Sequence, residues 1–166
     1  MDTESRLAEL EARVTALESE KPAPGGGHDP DVFWALIGLR ERVKDPNGAV
    51  LFTGAVKLPS GEHYEWQQGH LTDDILGVDW AEVSGSFAAL GHPVRLLLLG
   101  RILGGIRSVA ELQELDEVGT TGQLYHHLKL LVAANWLEVA HRGHYVVPGH
   151  RVVPLLVLLA AARPPG

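Results

Sequence analysis

The chain has 166 residues, 45% of them hydrophobic and 21% charged, with a formal net charge of −7 and no cysteine. That length supports one domain with an appendage or two small domains, and the missing cysteines exclude disulfides, thiol catalysis and thiolate metal sites. The start, Met1-Asp2-Thr3-Glu4, is acidic rather than a signal peptide. The longest apolar stretch, Val152 to Ala162, is too short to span a bilayer, so a cytoplasmic protein with no membrane partner is expected.

The first predicted element is a helix over 3–20. Leu7, Leu10, Val14 and Leu17 recur at the spacings of a coiled-coil seam. At under three heptads it is marginal alone; it is either a solvated N-terminal helix or a homotypic contact, and the lack of another partner for the seam favours the contact. Residues 21–30, opening Lys21-Pro22-Ala23-Pro24-Gly25-Gly26-Gly27-His28, form a linker by composition. An accessory region of helix plus β-hairpin is expected over 31–78. Asp31 caps a helix over 32–44 with Val32, Leu36, Leu39 and Val43 on one face, and Asp45-Pro46-Asn47-Gly48 stops it. Strands over 49–58 and 62–67 turn at Pro59-Ser60-Gly61 and carry Tyr64 and Trp66 on one face, a hairpin packed on the preceding helix. That aromatic pair is either plain core or one wall of a small ligand pocket.

Thr72-Asp73-Asp74 starts a short helical turn that ends at Gly77. Asp79 and Glu82 have capping-box spacing, ahead of Trp80, Val83, Phe87 and Leu90 at helical spacing. His92-Pro93 breaks the chain and restarts it, with Pro93 suited to the first helical position. A leucine-rich buried helix follows over 94–103 and ends at Gly104-Gly105. Ser108 and Glu111 make another capping box, for a helix with Val109, Leu112 and Leu115 inward. After a turn over 116–119, Thr120 and Gln123 cap a helix running to about Asn135. Leu124, Leu128 and Leu131 line its core face. Thr121, Gln123, Tyr125, His126 and Lys129 point elsewhere, and a helix start bearing Thr, Gln and His has the chemistry to meet phosphates and base edges. The period then changes: 136–140 and 144–147 read as strands around His141-Arg142-Gly143, and 152–162 is a final apolar helix with Pro154 in its first turn. Apolar on nearly every face, that helix needs burial on several sides, more than one small domain offers and within reach of a partner subunit.

Charge is unevenly spread. Residues 88–166 hold seven basic and five acidic side chains, while residues 1–87 hold seven basic and sixteen acidic. Affinity for phosphate follows local charge, so the negative total does not exclude nucleic acid but predicts modest, salt-sensitive binding.

From about residue 79 the order is helix, helix, helix–turn–helix, two-stranded ribbon, helix. In this order Ala89-Leu90-Gly91-His92-Pro93-Val94-Arg95-Leu96, Val109-Ala110-Glu111-Leu112, Leu124-Tyr125-His126-His127-Leu128-Lys129-Leu130-Leu131 and Ala133-Ala134-Asn135-Trp136-Leu137-Glu138 resemble the bacterial ArsR/SmtB-type transcriptional regulators. The resemblance covers about half the chain. It implies a mainly α fold with small β: a winged helix–turn–helix domain over 79–166 for DNA binding and dimerisation. It further implies a recognition helix over 121–135 and a wing over 136–147. Thr120, Thr121, Gln123, Tyr125, His126, His127 and Lys129 would face double-stranded DNA, and Arg142 would reach a phosphate or the minor groove. His126 and His127 have an alternative, packing of one of them against the wing, and Tyr125 can cover its own helix. A homodimer is implied through the terminal helix (Val153, Leu156, Val157), with Leu7, Leu10, Val14 and Leu17 adding a second contact.

The chain departs from the family in three places. No thiol stands in the helix before the recognition helix, and the last helix carries only His150 near its start, so no metal sensor of the thiolate type and no cofactor are expected. His141 and His144 flank the wing turn, but two ligands are too few for a closed zinc site. The extension before residue 79 is the third departure, and it leaves room for sensing of a small-molecule effector. The expected function is a homodimeric, sequence-specific DNA-binding regulator. The alternative is a winged-helix module that binds protein and not DNA. No phosphate loop or metalloprotease pairing nominates an enzyme, and Gly119-Thr120-Thr121-Gly122 reads as the helix–turn–helix turn.

Overall fold

The computed structural model describes Arg6, Leu7, Leu10, Arg13 and residues 29–164. The heptad positions Val14 and Leu17 and the linker over 21–28 lie outside the described residues; Leu7 and Leu10 are helical and exposed. The chain divides into two compact units, Met1–Lys44 and Asp45–Gly166.

In the first unit, helix α1 spans Trp34–Arg42, shorter than the 32–44 expected. Asp31 does not cap it. Asp29 begins the turn instead: its carboxylate accepts from the Asp31 N–H (3.0 Å) and its carbonyl from the Val32 and Phe33 N–H groups. No residue of α1 is fully buried.

The second unit begins with a hairpin, β1 (Ala49–Lys57) against β2 (His63–Leu71), in unbroken antiparallel register from Ala49↔Leu71 to Lys57↔His63. Alternation turns Phe52, Gly54, Val56, Tyr64, Trp66 and Gln68 to one half-buried face. That face packs on the C-terminal helix, α7 (Gly149–Ala161). This corrects two expectations: the hairpin packs on α7, and it joins the C-terminal unit instead of an accessory region with the preceding helix. Gly54 makes the close approach possible, because a Cβ there would stand 2.7 Å from Val153 Cγ1. Arg107 pairs with Glu62 and pins the hairpin's turn end. At its open end, Asn47 Nδ2 donates to both oxygens of Asp73 at 3.1 and 3.0 Å.

Helix α2 (Thr72–Gly77) leads into a 3-10 turn over Trp80–Val83 and then α3 (Ser84–Leu90). The capping box expected here is only half formed: Asp79 accepts from the Ala81 N–H (2.9 Å), and Glu82 returns no bond. The stripe Trp80, Val83 and Phe87 is exposed, and only Ala89 of α3 is buried. The chain enters α3 directly from the 3-10 turn at Ser84, and the tighter winding over Trp80–Val83 shifts those positions out of the phase that uniform α-helical spacing assumes.

Helix α4 (Pro93–Leu103) starts at His92, whose Nδ1 accepts from the Val94 N–H (3.2 Å), and buries Leu98, Leu99, Ile102 and Leu103. Arg95 turns back and donates to the Ala89 (2.5 Å) and Ala88 (2.7 Å) carbonyls at the end of α3, where a cation suits the negative helix terminus. Helix α5 (Val109–Gln113) and α6 (Thr121–Ala133) each begin in a complete capping box. Between them a 3-10 turn, Asp116–Val118, runs to Gly119, whose φ of 73° favours glycine. Strands β3 (Glu138–His141) and β4 (His144–Val146) make the second hairpin. A bridge between Ser108 and His144, with the Val109 N–H donating to the Gly143 carbonyl, ties this hairpin to the start of α5.

The core is one cluster joining α4, α5, α6 and α7 with Trp136, Leu137 and Val147. α6 stops at Ala133, before the Asn135 expected, because Asn135 takes a left-handed conformation (φ 57°) that turns Trp136 and Leu137 into the core ahead of β3. The final helix starts three residues earlier than expected, so Pro154 lies inside α7 and not in its first turn. The carbonyl that loses a partner there belongs to exposed His150, where water can replace the bond. This chain's own hairpin and helices bury Val152, Val153 and Leu155 of α7, while Leu156, Val157 and Leu158 stay partly exposed and Leu159 exposed. No single helix among the described residues is long and apolar enough to cross a membrane.

Candidate nucleic-acid interface

The start of α6 is the most sharply built surface in the second unit. The Thr120 N–H donates to Gln123 Oε1 (2.8 Å) and the Gln123 N–H to Thr120 Oγ1 (3.3 Å), so each side chain satisfies an otherwise orphaned donor. Gln113 Nε2 braces the turn before it by donating to the Gly119 carbonyl (3.0 Å). Leu124, Leu128 and Leu131 are each 0% exposed. With that face fixed inward, Thr120, Thr121, Gln123, Tyr125, His126 and Lys129 are exposed. Arg142 is exposed at the tip of the β3–β4 hairpin.

The eight candidates do not form one set. His127 turns inward: its ring centroid is 4.7 Å from that of His92, and its buried Nδ1 has no hydrogen-bond partner. Burial first, then the nearby His92, Arg95 and His126, hold its pKa below the ordinary 6.5, so it is a neutral packing group set apart from the exposed candidates. It packs on the start of α4. Spacing alone could have shown this, since His127 follows Leu124 by three and sits beside Leu128 on the inward arc. Gln123 faces out, but its Oε1 is occupied by the cap. Tyr125 is 45% exposed and lies near enough to Tyr145 that it adds to burial in raising the Tyr145 pKa.

The electrostatics are mixed. Lys129 and Arg142 supply positive charge, while Asp116 and Glu117, both exposed, stand in the turn just before α6. His141 and His144 stack at 3.9 Å across the hairpin turn, and among the described residues no cluster of three His, Asp or Glu could hold a metal.

Of the terminal-helix positions, Val153 is 1% exposed against the hairpin and has no surface to offer a partner. Leu156 and Val157 remain partly exposed and point to different places: Leu156 to a small apolar cleft with Leu96, Leu99 and Leu159, Val157 to a larger groove beside α3. The ligand pocket left open at Tyr64 and Trp66 is matched in part: Trp66 lines this groove together with Phe52 and Phe87, and Tyr64 does not. No family model, curated protein or solved structure matches the chain.

Proposed function

We propose that the chain is a DNA-binding transcriptional regulator of the winged helix–turn–helix kind, similar to the ArsR/SmtB-type regulators, with α6 as recognition helix and the β3–β4 hairpin as wing. One observation carries the reading: a doubly capped, 13-residue helix buries its leucine stripe while presenting Thr121, Tyr125, His126 and Lys129 from its first turns, beside an arginine-tipped hairpin. Thr hydroxyls and helix-start N–H groups suit phosphates, and His and Tyr suit base edges and sugar. Arg142 suits a phosphate or a narrow groove. The protein acts as a homodimer through the N-terminal heptad and the outer face of α7 at Leu156 and Leu159, so that two α6 helices meet successive major grooves about 34 Å apart.

Fluorescence anisotropy on DNA from upstream of its own gene tests this. Affinity should fall steeply between about 50 and 200 mM salt. Gln123→Glu keeps the oxygen that closes the cap, as Glu111 does in the preceding box, but turns a carboxylate toward the phosphates. It should leave the melting temperature unchanged and weaken DNA binding at least about tenfold. Arg142→Ala should lower the salt slope by about one. Absence of salt-dependent binding, or full affinity in Gln123→Glu, rejects the reading. Asp116 and Glu117 beside the helix start favour a second reading, a module that binds protein on the same face, and salt-independent behaviour toward DNA would select it.

A further inference from the structure

The larger groove lies within the second unit, between the hairpin, α3, the end of α6 and α7, and measures about 1250 Å³. Its walls are Phe52 and Trp66 from the hairpin, Phe87 from α3, and Pro154, Val157 and Leu158 from α7. Trp136 closes the floor, held by its indole N–H donating to Ser86 Oγ (3.0 Å). Against this apolar lining stands one uncommitted cation. The Arg151 guanidinium lies 4.9 Å over the Trp136 ring, and its Nε is buried without a hydrogen-bond partner. Arg95 also reaches the groove, but its Nε and one terminal nitrogen are spent on the α3 carbonyls. Among the described residues the one ion pair is Arg107–Glu62, so Glu82, which also lines the groove, neutralises neither arginine. Arg151 and His150 stand in the first turn of α7, which has no acidic residue and no side-chain cap, so the helix dipole adds to their positive potential.

We infer that this groove binds a small aromatic monocarboxylate, with the ring system between Phe52, Trp66 and Phe87 and the carboxylate on Arg151. A guanidinium offers a planar fork to a carboxylate and stacks on an indole at the same time, as Arg151 already does. The volume exceeds the ~300–1,000 Å³ of common small-molecule sites, so it takes a fused-ring body with water beside it. A second copy of the chain is the poorer occupant: covering the groove with apolar surface would bury Arg151 without a counter-charge. The inference stands on the groove alone and holds whether or not α6 binds DNA.

Two probes of matched shape test it on the full chain: 2-naphthylacetate and its neutral amide, 2-naphthylacetamide, titrated by calorimetry and by quenching of tryptophan fluorescence. The acid should bind once per chain, at least about tenfold tighter than the amide, the gain expected of a charge-assisted hydrogen bond. Arg151→Gln should erase that preference. Phe87→Ala removes an exposed ring, so folding is spared, and it should weaken both probes about equally. Equal affinity for acid and amide, no binding of either at 5 mM, a preference that survives Arg151→Gln, or a Phe87→Ala variant that binds both as before would each overturn the assignment. So would sedimentation showing a dimer that Phe87→Glu splits, since the groove would then be a contact between copies.

Discussion

Gly54→Ala is the most direct test of how the hairpin and α7 are joined. The added methyl would stand 2.7 Å from Val153 Cγ1, about 0.7 Å inside the 3.4 Å limit of ordinary contact. Val153 cannot swing away, because it is β-branched, 1% exposed and fixed on a helix. The strand must therefore lift or the valine must leave its rotamer, an overpacking cost of about 1–3 kcal/mol. Val153→Ala has its own cost, about 1.6 kcal/mol for two buried methyls plus a cavity term. Together the two changes relieve each other, since the methyl at 54 enters the space vacated at 153. The double variant should be more stable than the sum of the singles by at least about 1 kcal/mol. Urea unfolding followed by far-UV circular dichroism gives all three values, with an unchanged m-value showing that the unfolded states match. A neutral Gly54→Ala, or strict additivity, would refute the packing of this hairpin on α7.

Three further outcomes follow from the same geometry. Glu62→Gln removes the carboxylate that Arg107 and Ser60 hold below its ordinary value of 4.5. A depressed carboxylate pKa stabilises the fold above the unfolded value, and that stability is lost as pH falls, so the variant should be less stable by up to about 1 kcal/mol at pH 7, with the difference from the parent shrinking as pH falls below 4.5. His127 has a depressed pKa for a base, so the unfolded state takes up its proton first. Stability should be full above about pH 6.5 and fall below it, and thermal melts of His127→Gln should lose much of that slope. Gly119→Ala places a methyl in a left-handed conformation and into the Gln123 side chain. It should cost about 1–2 kcal/mol and loosen the start of α6, seen as faster amide exchange at Gln123.

What the sequence revealed, it revealed through local rules. The Ser108–Glu111 and Thr120–Gln123 boxes and the stripe Leu124, Leu128 and Leu131 depend on residues within one or two turns of each other, and all formed as read. The two hairpins were legible for the same reason, from glycine turns and alternation. Readings that needed long-range partners failed. Nothing near Gly54 says that its missing side chain is matched to Val153, 99 positions later, so the packing of the hairpin on α7 was not legible. The stripe Trp80, Val83 and Phe87 had α-helical spacing, but its first turn is wound as a 3-10 helix, which changes the phase of those side chains. At the candidate interface, six of the eight positions depend only on the phase of α6, and they face outward as read. His127 follows the same phase: it lies beside Leu124 and Leu128 on the inward arc, where it meets His92.

The cap at the start of α6 also limits how that helix could read a base. Bidentate contact of a glutamine with adenine needs both its carbonyl oxygen and its amide N–H group. Gln123 Oε1 already accepts from the Thr120 N–H and from Thr120 Oγ1. To pair with adenine it would have to surrender a capping bond, and caps of this kind contribute about 0.5–2 kcal/mol, comparable with the ~1–3 kcal/mol of discrimination a base pair contact offers. On the proposed reading Gln123 therefore contributes position more than selection. Selection falls to Thr121, Tyr125 and His126, which are exposed and accept no capping bond. Gln123→Ala should then reduce helix stability and overall affinity together, with little change in which sequences are preferred. Tyr125→Ala should change the preference while leaving the cap, and the melting temperature it supports, nearly intact. The opposite pattern, with preference lost in Gln123→Ala and kept in Tyr125→Ala, would show that the cap opens on binding and that glutamine is the reader.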